Sequence, residues 1–399
     1  MWLNSQAGFK GKLYSVQPDP REAEGIEKLG IPNFKSVTEI PEPVDYAIVA
    51  VPRQSANQVL SDCIKAKTAG VGYFTAGFSE VGDELGVKLE QEMRGLAIGS
   101  DIALVGPNCM GLCNPGLGLL NSPSLRGAAN NGGDVCFISQ SGTHAISFVM
   151  KAPGRGIKVN LAASIGNATI LEAADYIDVM ANDPATRAIG MYLEGIKDGR
   201  RFFDSLRRAA ARHPVLVWKG GVTESGARAT FSHTGSLATP AAVWKAAMRQ
   251  SGAAEVINLE AMLDAMELLT RAREVRGRRM ALVAMTGGQS VVISDAFARH
   301  GLEVPPLSDS TYEQFSTFFK VIGGSYKNPL DAAWTMGHVG QQGNADRVLD
   351  IIDNDPVIDA IVMELRPGPG FGAIRGPMTE QDLTPMIDVL AGFQRRAKK

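Results

Sequence analysis

The chain has 399 residues, 45% of them hydrophobic, and its 40 basic and 42 acidic side chains give a formal net charge of -2. This length and composition predict two or three globular domains with buried cores. No segment carries five or six like charges in a row, which argues against nucleic acid or an anionic membrane as a partner and favours small molecules.

Targeting signals and covalent cross-links are not expected. The N-terminus lacks the apolar core of a signal peptide, and no apolar run approaches the roughly 20 residues that span a bilayer, so we expect a cytoplasmic protein. Four cysteines are too few for a disulfide scaffold and predict reduced thiols: Cys63, Cys109, Cys113 and Cys136. Cys109 and Cys113 have no matching Cys/His pair and the five histidines are scattered, so no metal site is expected.

Short apolar runs rich in branched residues recur between helix-length segments. They lie at residues 45–52, 71–79, 102–108, 134–140, 157–164, 188–195, 214–221, 280–288 and 359–366. This alternation predicts an α/β fold with parallel sheets covered by helices on both faces. Ligands of such sheets bind beyond the carboxyl ends of the strands, so the functional residues are expected there.

One pattern occurs twice. Residues 134–156 (DVCFISQSGTHAISFVMKAPGRG) and 280–301 (MALVAMTGGQSVVISDAFARHG) each read as a buried strand, a turn of small residues, a helix and a glycine stop. The repeat predicts two doubly wound domains, residues 131–257 and 258–399, behind an N-terminal domain of residues 1–130. Residues 122–134 (SPSLRGAANNGGD) have the composition of a linker or surface loop.

The two turns of this repeat, SQSG at 139–142 and TGGQ at 286–289, join a strand to the N-terminus of a helix. Free backbone N–H groups and the positive end of the helix dipole favour a phosphate or carboxylate at such a position. The alternative for each is a tight turn with a capping side chain. If both bind anions, the two helix ends from similar domains can converge on one phosphate.

A histidine lies in the middle of the Gly-, Ser- and Thr-rich stretch at 218–244. We predict a long loop there, ended by a helix that starts at Thr239 and Pro240, because threonine caps helices and proline suits the first turn. Small neighbours leave the imidazole of His233 unhindered, and a neutral imidazole is a competent nucleophile. The alternative is a solvated histidine.

An orienting carboxylate is expected at a nearby strand end. Glu194 follows a strongly apolar strand and is the first candidate, with Asp198 as a weaker one; the alternative for Glu194 is a helix-capping or solvated acid. Neither Ser139 nor Ser141 has glycine two residues before and after it, so a serine-hydrolase elbow is excluded. The N-terminal domain has no GxGxxG after its first strand, which argues against an NAD site.

A series of motifs then resembles a known family. The motifs are VPRQSA (51–56), AGFSEVG (76–82), GPNCMG (106–111), SQSG (139–142), SIGN (164–167), YLEGIKDGR (192–200), KGG and SHTG (within 219–235) and NPLD (328–331). In this order they resemble the NDP-forming acyl-CoA synthetases and, more distantly, succinyl-CoA synthetase alpha subunits. The resemblance implies a CoA-binding Rossmann-like domain followed by two flavodoxin-like ligase domains.

The resemblance also implies roles for single residues. It makes His233 the phosphohistidine and Glu194 the acid that steadies it. Around the phosphate it implies Ser139, Gln140, Ser141 and Gly142, together with Gly287 and Gly288 of the second turn. Contacts to coenzyme A would come from Pro18, Val51, Pro52, Arg53, Gly77, Phe78, Asn108 and Cys109. Three further residues would lie near the acyl phosphate or thioester: Ser164, Gly166 and Asn167.

The implied reaction interconverts acyl-CoA, phosphate and ADP with a carboxylic acid, CoA and ATP. Phosphate attacks the thioester, His233 takes the phosphoryl group from the acyl phosphate, and the loop carries it to a nucleotide site. The ATP-grasp region of the family is absent from this sequence, so ATP/ADP and Mg are expected on a separate ATP-grasp subunit, in a hetero- or homo-oligomer. The chain alone should form little or no ATP.

Two departures concern coenzyme A. The family's opening strand and glycine-rich turn are expected to be missing. Asp19 replaces a lysine and Arg53 replaces a small residue, and the positive charge of Arg53 would compensate for the negative charge of Asp19. Two other functions stay open on this scaffold: an acyl-CoA lyase or hydrolase that does not use phosphorylation, and a non-catalytic CoA-binding regulatory paralogue.

Overall fold

The chain divides into two compact units, residues 1–272 and 273–399. The computed structural model describes residues 8–120, 132–234, 240–272, 275, 277–336, 344–365 and 380–398. Most of the predicted linker therefore lies outside the described residues. The three-domain scheme, with boundaries near residues 130 and 257, stays a prediction.

The N-terminal part of the first unit contains two small parallel sheets. Its elements are β1 (Ser15–Val16), α1 (Pro20–Glu27), β2 (Asn33–Phe34), β3 (Tyr46–Val49), α2 (Ala56–Lys65), β4 (Gly70–Tyr73), α3 (Glu84–Ile98) and β5 (Ala103–Val105). β1 pairs with β2, while β3, β4 and β5 form a separate sheet in that order. Leu60, Val71 and Met93 belong to the core that joins this second sheet to α2 and α3.

The rest of the first unit is built on a six-stranded sheet. Its elements are β6 (Gly111–Cys113), β7 (Val135–Ser139), α4 (Gly142–Lys151), β8 (Val159–Ser164), α5 (Ala173–Asn182), β9 (Ala188–Leu193), α6 (Gly199–Ala210), β10 (Val215–Lys219), α7 (Glu224–Thr234), α8 (Ala241–Ser251), β11 (Ala254–Val256) and α9 (Leu259–Arg271). The strand order is β11-β10-β9-β7-β8-β6. Neighbouring strands are parallel except β6, which runs antiparallel to β8.

Helices cover both faces of this sheet, as the sequence predicts. One face packs against α5, α6 and α8 through buried residues such as Ile177, Phe202 and Trp244. The other face packs against α4 and α9 through Phe148 and Met262 among others. All five residues of β7 are buried, which explains why this central strand reads as an unbroken apolar run.

The second unit contains a three-stranded parallel sheet in the order β13-β12-β14. Its elements are β12 (Met280–Ala284), α10 (Gly287–Arg299), α11 (Asp309–Ser316), β13 (Leu330–Asp331), α12 (Ala333–Met336), α13 (Asn344–Asp353), β14 (Ala360–Met363) and α14 (Glu380–Arg396). Phe315, Leu330 and Val348 contribute to a buried core on one side of this sheet. The predicted α/β class is confirmed in both units, and the nine predicted strands are all present.

The predicted loop before His233 is wrong for residues 224–234, which form α7. The Thr223 hydroxyl accepts a hydrogen bond from the Gly226 amide (3.1 Å), and Arg228 pairs with Glu224 one turn earlier (2.8 Å). These two local contacts favour a helix despite the Gly and Ser content. Residues 235–239 lie outside the described residues, and Pro240 occupies the cap position of α8 rather than its first turn.

The four cysteines and the helices bear on two of the predictions made from the composition. Cys63, Cys109, Cys113 and Cys136 are all buried and unbridged, as reduced thiols require. Among the described residues, no helix combines the length and apolarity that a bilayer crossing needs.

Candidate active site

The predicted phosphate turn of the first unit joins β7 to α4. Ser141 is the N-cap, and its hydroxyl accepts a hydrogen bond from the His144 amide (3.4 Å). The Ser139 hydroxyl accepts from the Ser141 amide (3.1 Å) and donates to the Ser141 carbonyl (2.6 Å), which fixes the turn. Helix α4 begins at Gly142, and the first amides of a helix have no intrahelical acceptor. The turn is therefore held by local hydrogen bonds, and anion binding by the first amides of α4 stays a prediction.

Gln140 has a positioning role that the sequence did not reveal. Its backbone amide donates to the Tyr192 carbonyl (3.1 Å), and its side-chain oxygen accepts from the Glu194 and Gly195 amides. Its side-chain nitrogen donates to the Gly195 carbonyl (2.9 Å). The Gln140 side chain thus ties the phosphate turn to the chain that leaves β9.

Glu194 is buried at the carboxyl end of β9, with only 6% of its surface exposed. Burial raises the pKa of Tyr192, and its proximity to Glu194 adds to this shift. The Lys219 ammonium donates to the carbonyl oxygens of Glu194 (2.7 Å) and Gly220 (2.6 Å). Burial lowers the pKa of Lys219, and Glu194 opposes that shift. The alternative of a solvated surface acid is therefore excluded for Glu194.

Asp198, the weaker candidate, is committed to a helix cap. Its carboxylate accepts from the Arg201 amide (3.0 Å) at the start of α6, and its own amide donates to Glu172 (3.3 Å). Glu194 therefore remains the carboxylate candidate at this sheet edge.

His233 lies in the last turn of α7, one residue before its end. Its side chain is outside the described part of the chain, so its contact with Glu194 stays a prediction. The strand that leads to α7 is β10, which is directly hydrogen-bonded to β9, the strand that carries Glu194. The two predicted catalytic residues thus follow neighbouring strands.

The second predicted anion-binding turn has the expected local geometry. In the second unit, Thr286 caps α10, and its hydroxyl accepts from the Gln289 amide (3.4 Å). Helix α10 begins at Gly287, and a methyl group added there would lie 3.3 Å from the Asp331 carboxylate. Gly288 has open space around its Cα. Phosphate binding by these residues stays a prediction.

The SIGN turn after β8 packs tightly on the loop after β5. Gly166 has φ +51°, and an added Cβ would lie 2.2 Å from the Pro107 carbonyl oxygen and 2.4 Å from that of Asn108. The Asn167 amide donates to the Pro107 carbonyl (3.0 Å), and the Asn108 side chain donates to that of Asn167 (3.4 Å). Predicted CoA and acyl residues therefore meet here. Only glycine fits at position 166.

Two carboxylates extend this contact to the loop after β4. The Asn167 side chain donates to Glu80 (2.6 Å) and Glu90 (3.0 Å). Glu80 in turn accepts from the amides of Gly77 (2.6 Å) and Phe78 (3.2 Å). Burial alone would raise the pKa of Glu90, but the hydrogen bonds that its carboxylate accepts from hydroxyl groups, a backbone amide and a side-chain amide lower it. This network joins the predicted CoA loop to the SIGN turn.

Lys197 also holds the SIGN turn in place. Its ammonium donates to the carbonyl oxygens of Asn167 (3.0 Å) and Ala168 (2.9 Å). Ala168 has φ +49°, a conformation that non-glycine residues seldom adopt. Lys197 was not predicted as a site residue; its place in the YLEGIKDGR motif was the available signal.

Among the predicted CoA contacts, Val51, Pro52 and Arg53 follow β3. Val51 exchanges two hydrogen bonds with the Thr75 hydroxyl (3.1 and 2.8 Å). Arg53 donates to the Gly77 carbonyl (2.8 Å) and pairs with Asp83 (2.9 Å). The charge of Arg53 is thus already opposed by Asp83, whereas Asp19 pairs with Arg21 (2.6 Å) at the start of α1. The predicted compensation of Asp19 by Arg53 stays a prediction.

The other predicted contacts differ in exposure. Phe78 is completely buried and Cys109 is 4% exposed, so both side chains belong to cores and do not face a ligand. Burial raises the pKa of the Cys109 thiol to about 12, which keeps it neutral. Pro18 is exposed between β1 and α1, beside the separate two-stranded sheet. Ser164 is buried, and its hydroxyl accepts from the Met110 amide (3.0 Å).

A small cavity, partly open to solvent, lies where these loops meet. Its lining combines the phosphate turn (Gln140), the SIGN turn (Gly166, Asn167), the chain after β4 (Ser79, Glu90) and the chain after β9 (Lys197). Gly195, next to Glu194, also lines it. One cavity of the first unit thus touches residues from two of the predicted groups, the phosphate turn and the SIGN turn, and it also touches Ser79, which follows the predicted CoA residues Gly77 and Phe78.

Two family models match this chain. Residues 4–77 match the CoA binding domain, and residues 132–269 match the succinyl-CoA ligase like flavodoxin domain. The two matches correspond to the N-terminal sheets and to the six-stranded sheet.

Relatives match over most of the chain. The alpha subunit of acetate–CoA ligase (ADP-forming) II from Pyrococcus furiosus is 34% identical over 352 residues, which are 88% of this chain and 74% of the subunit. Acetate–CoA ligase (ADP-forming) I from Archaeoglobus fulgidus is 33% identical over 365 residues, 92% of this chain. The chain spans only 51% of the length of that protein.

A solved structure has the same fold. It is the dinucleotide-forming acetyl-coenzyme A synthetase 1 of Ca. Korarchaeum cryptofilum in complex with phosphate and ADP, with a TM-score of 0.82 and 29% identity. The match covers 97% of this chain and 79% of that one.

Proposed function

Because the chain belongs to the family of ADP-forming acyl-CoA ligases, we propose that it is the acyl-CoA-handling part of such an enzyme. It interconverts an acyl-CoA and phosphate with a carboxylic acid, CoA and a phosphohistidine at His233. With a nucleotide-binding partner, the phosphoryl group goes on to ADP and gives ATP. The acyl-CoA lyase and the non-catalytic paralogue remain as outcomes of the test below.

The observation that carries this proposal is the cavity shared by the predicted groups. A thioester must lie between the loops that bind CoA and the turn that binds phosphate. Ser79 follows the predicted CoA residues, Gln140 belongs to the phosphate turn, and Gly166 and Asn167 belong to the SIGN turn; all four line one cavity. The cavity therefore supports a site where phosphate and thioester meet.

The first step forms the acyl phosphate. A phosphate oxygen bonds to the thioester carbonyl carbon, the carbon–sulfur bond breaks, and the CoA thiolate leaves and takes up a proton. The backbone amides at the start of α4 are suited to hold the phosphate, because they are preorganised by Ser139 and Ser141.

The second step transfers the phosphoryl group. An imidazole nitrogen of His233 bonds to phosphorus, and the oxygen bridging to the acyl group leaves as part of the free carboxylate. Glu194, held at the end of β9, accepts a hydrogen bond from the other imidazole nitrogen. The phosphohistidine is then expected to reach the nucleotide on the partner subunit, as transfer to ADP requires.

The nucleotide and Mg are expected on a partner subunit with an ATP-grasp fold. The related chain from Pyrococcus furiosus is named an alpha subunit, and the Korarchaeum structure contains phosphate and ADP, which supports both the partner and the nucleotide. Coenzyme A and a carboxylic acid complete the reactant set.

The test is ATP formation from acetyl-CoA, phosphate and ADP by the chain mixed with a nucleotide-binding subunit of the same family. We expect His233→Asn to abolish ATP formation, because no other group takes the phosphoryl. His300→Asn, at an exposed position after α10, is the matched control and should keep activity. Full activity of His233→Asn would refute the phosphohistidine route. Thioester cleavage without ATP formation would favour a lyase. CoA binding without turnover would favour a regulatory protein.

A further inference from the structure

The cavity between the phosphate turn and the SIGN turn has one cationic side chain among the described residues that line it. That side chain is Lys197, in the short segment between β9 and α6. Two acids, Glu90 and Glu172, line the same cavity. A phosphate that enters the cavity is repelled by these carboxylates, and Lys197 is the lining group whose charge offsets the repulsion.

The SIGN turn holds the Lys197 side chain at the wall of the cavity. The ammonium donates to the carbonyl oxygens of Asn167 (3.0 Å) and Ala168 (2.9 Å), and both of these residues line the cavity as well. A lysine ammonium has three N–H donors, so the two carbonyls leave one donor for a ligand. Partial burial lowers the pKa of Lys197, whereas the charges of Glu90 and Glu172 oppose this shift.

The two acids of the lining have other donors. Glu90 accepts hydrogen bonds from the Thr169 hydroxyl (2.7 Å) and the Asn167 side chain (3.0 Å). Glu172 accepts from the Asp198 amide (3.3 Å). Among the described residues, the remaining N–H of Lys197 is therefore not taken by either carboxylate.

The thioester step creates negative charge on the carbonyl oxygen. When a phosphate oxygen bonds to the carbonyl carbon, the carbonyl oxygen becomes an oxyanion until the carbon–sulfur bond breaks. A fixed cationic N–H donor next to that oxygen stabilises the oxyanion. The phosphoryl transfer that follows breaks a phosphorus–oxygen bond and places less new charge on the carbonyl oxygen. A donor at this position therefore acts mainly on the thioester step.

We propose that Lys197 is a catalytic residue of the thioester step, which holds the SIGN turn with two N–H groups and donates the third to the carbonyl oxygen of the acyl-CoA. This inference rests on the proposed function, because it needs a thioester and phosphate to meet in this cavity. Lys197 stabilises the oxyanion, and its charge also offsets the repulsion between phosphate and the two acids.

The test isolates the thioester step with arsenate in place of phosphate, in the full chain with a nucleotide-binding subunit but without nucleotide. An arsenate oxygen bonds to the carbonyl carbon of acetyl-CoA, the carbon–sulfur bond breaks and the thiolate takes up a proton. Water then hydrolyses the acetyl arsenate to acetate and arsenate, so CoA release needs neither ADP nor His233. We expect Lys197→Met to lower kcat for CoA release about 100-fold, with little change in KM for acetyl-CoA.

Three comparisons separate this role from a loss of structure. Lys197→Met should keep most of its rate of His233 phosphorylation by acetyl phosphate, since that reaction starts after the thioester step. Lys197→Arg keeps the charge and the donors and should recover part of the lost CoA release. Lys245→Met, at an exposed position on α8 outside the cavity lining, should leave both reactions unchanged.

Three results would contradict these expectations. A kcat of Lys197→Met equal to that of wild type would overturn the inference, and so would an equal loss of both reactions. A higher KM at unchanged kcat would mean that Lys197 only shapes the turn, which also overturns it. A wild-type chain that releases no CoA with arsenate would instead refute the proposed thioester step.

Discussion

Asp359 and Arg279, the residues before β14 and β12, lock these two neighbouring strands together. Asp359 accepts hydrogen bonds from the Arg279 backbone amide (2.9 Å), Nε (3.0 Å) and Nη2 (2.6 Å). These hydrogen bonds hold the pKa of Asp359 well below its usual range. The pair lies at the end of the second unit's sheet where strands β12 and β14 begin.

We predict that Asp359→Asn destabilises the protein at neutral pH. A carboxylate whose pKa is lowered by folding stabilises the folded state above its unfolded-state pKa of about 3.9, and that contribution is lost as the pH falls below it. The gap in urea midpoint between wild type and Asp359→Asn should therefore be constant from about pH 7 to about pH 5 and shrink below about pH 4.

The control for this prediction is Asp295→Asn on α10. Asp295 is 66% exposed and lies 3.9 Å from Arg299, so its loss should change the urea midpoint little. A gap for Asp359→Asn that does not change between neutral and acid pH would contradict the ionic explanation.

Residue types were easier to predict than side-chain directions. The sequence indicated Glu194, because an acid directly after an apolar strand lies at the ligand edge of a parallel sheet. It did not indicate that the side chains of Phe78 and Cys109 face a core, because a loop residue can point either into the core or towards a ligand. Lys197 was missed because the carbonyl groups that it binds are far away in sequence. Gln140 was named for the phosphate turn, but the sequence did not indicate that its side chain binds the Glu194 and Gly195 amides.

At the level of elements, the SIGN turn is the most constrained segment of the site. Gly166 and Ala168 both have positive φ, and the Lys197 ammonium, Glu80 and Glu90 hold the residues between and beside them. We propose that a backbone held in this conformation is preorganised to approach a thioester closely.

We expect Gly166→Ala to be damaging on two counts. The left-handed conformation disfavours alanine, and the new methyl group would meet the carbonyl oxygens of Pro107 and Asn108. The free energy of unfolding should fall by about 1–3 kcal/mol, and KM for acyl-CoA should rise because the turn must shift. Urea unfolding and steady-state kinetics measure the two effects.

Gly199→Ala provides the comparison. Gly199 begins α6, and an added Cβ would have no heavy atom within 4 Å. This variant should be as stable and as active as wild type. If Gly166→Ala behaved in the same way, the SIGN turn would not be the constrained element described above.

The element predictions failed where local contacts outweighed composition. Long apolar strands such as β7 were predicted because burial on both faces leaves a continuous signal. Strands of two or three residues, such as β6, carry no alternation and form only because a partner strand is present. Helix α7 was taken for a loop because Gly, Ser and Thr dominate its sequence, whereas the Thr223 cap and the Glu224–Arg228 pair decide its structure.

At the level of the whole molecule, the order of motifs was more informative than any single motif. It predicted the family and the α/β architecture, and both are confirmed. The acyl substrate was not predictable, because it depends on side chains that meet only in the folded cavity. The chain spans 51% of the length of the Archaeoglobus fulgidus relative, so the complete reaction is a property to be tested with a partner.

The most direct test of the phosphohistidine is made without nucleotide. The chain is incubated with acetyl-CoA and phosphate, and in parallel with acetyl phosphate, then analysed by intact mass and peptide mapping under alkaline conditions. We predict one phosphoryl group on His233, which requires both acetyl-CoA and phosphate in the first incubation and is absent from His233→Asn. A folded chain that cleaves acetyl-CoA or binds CoA, yet carries no phosphate on His233 with either donor, would contradict the proposal.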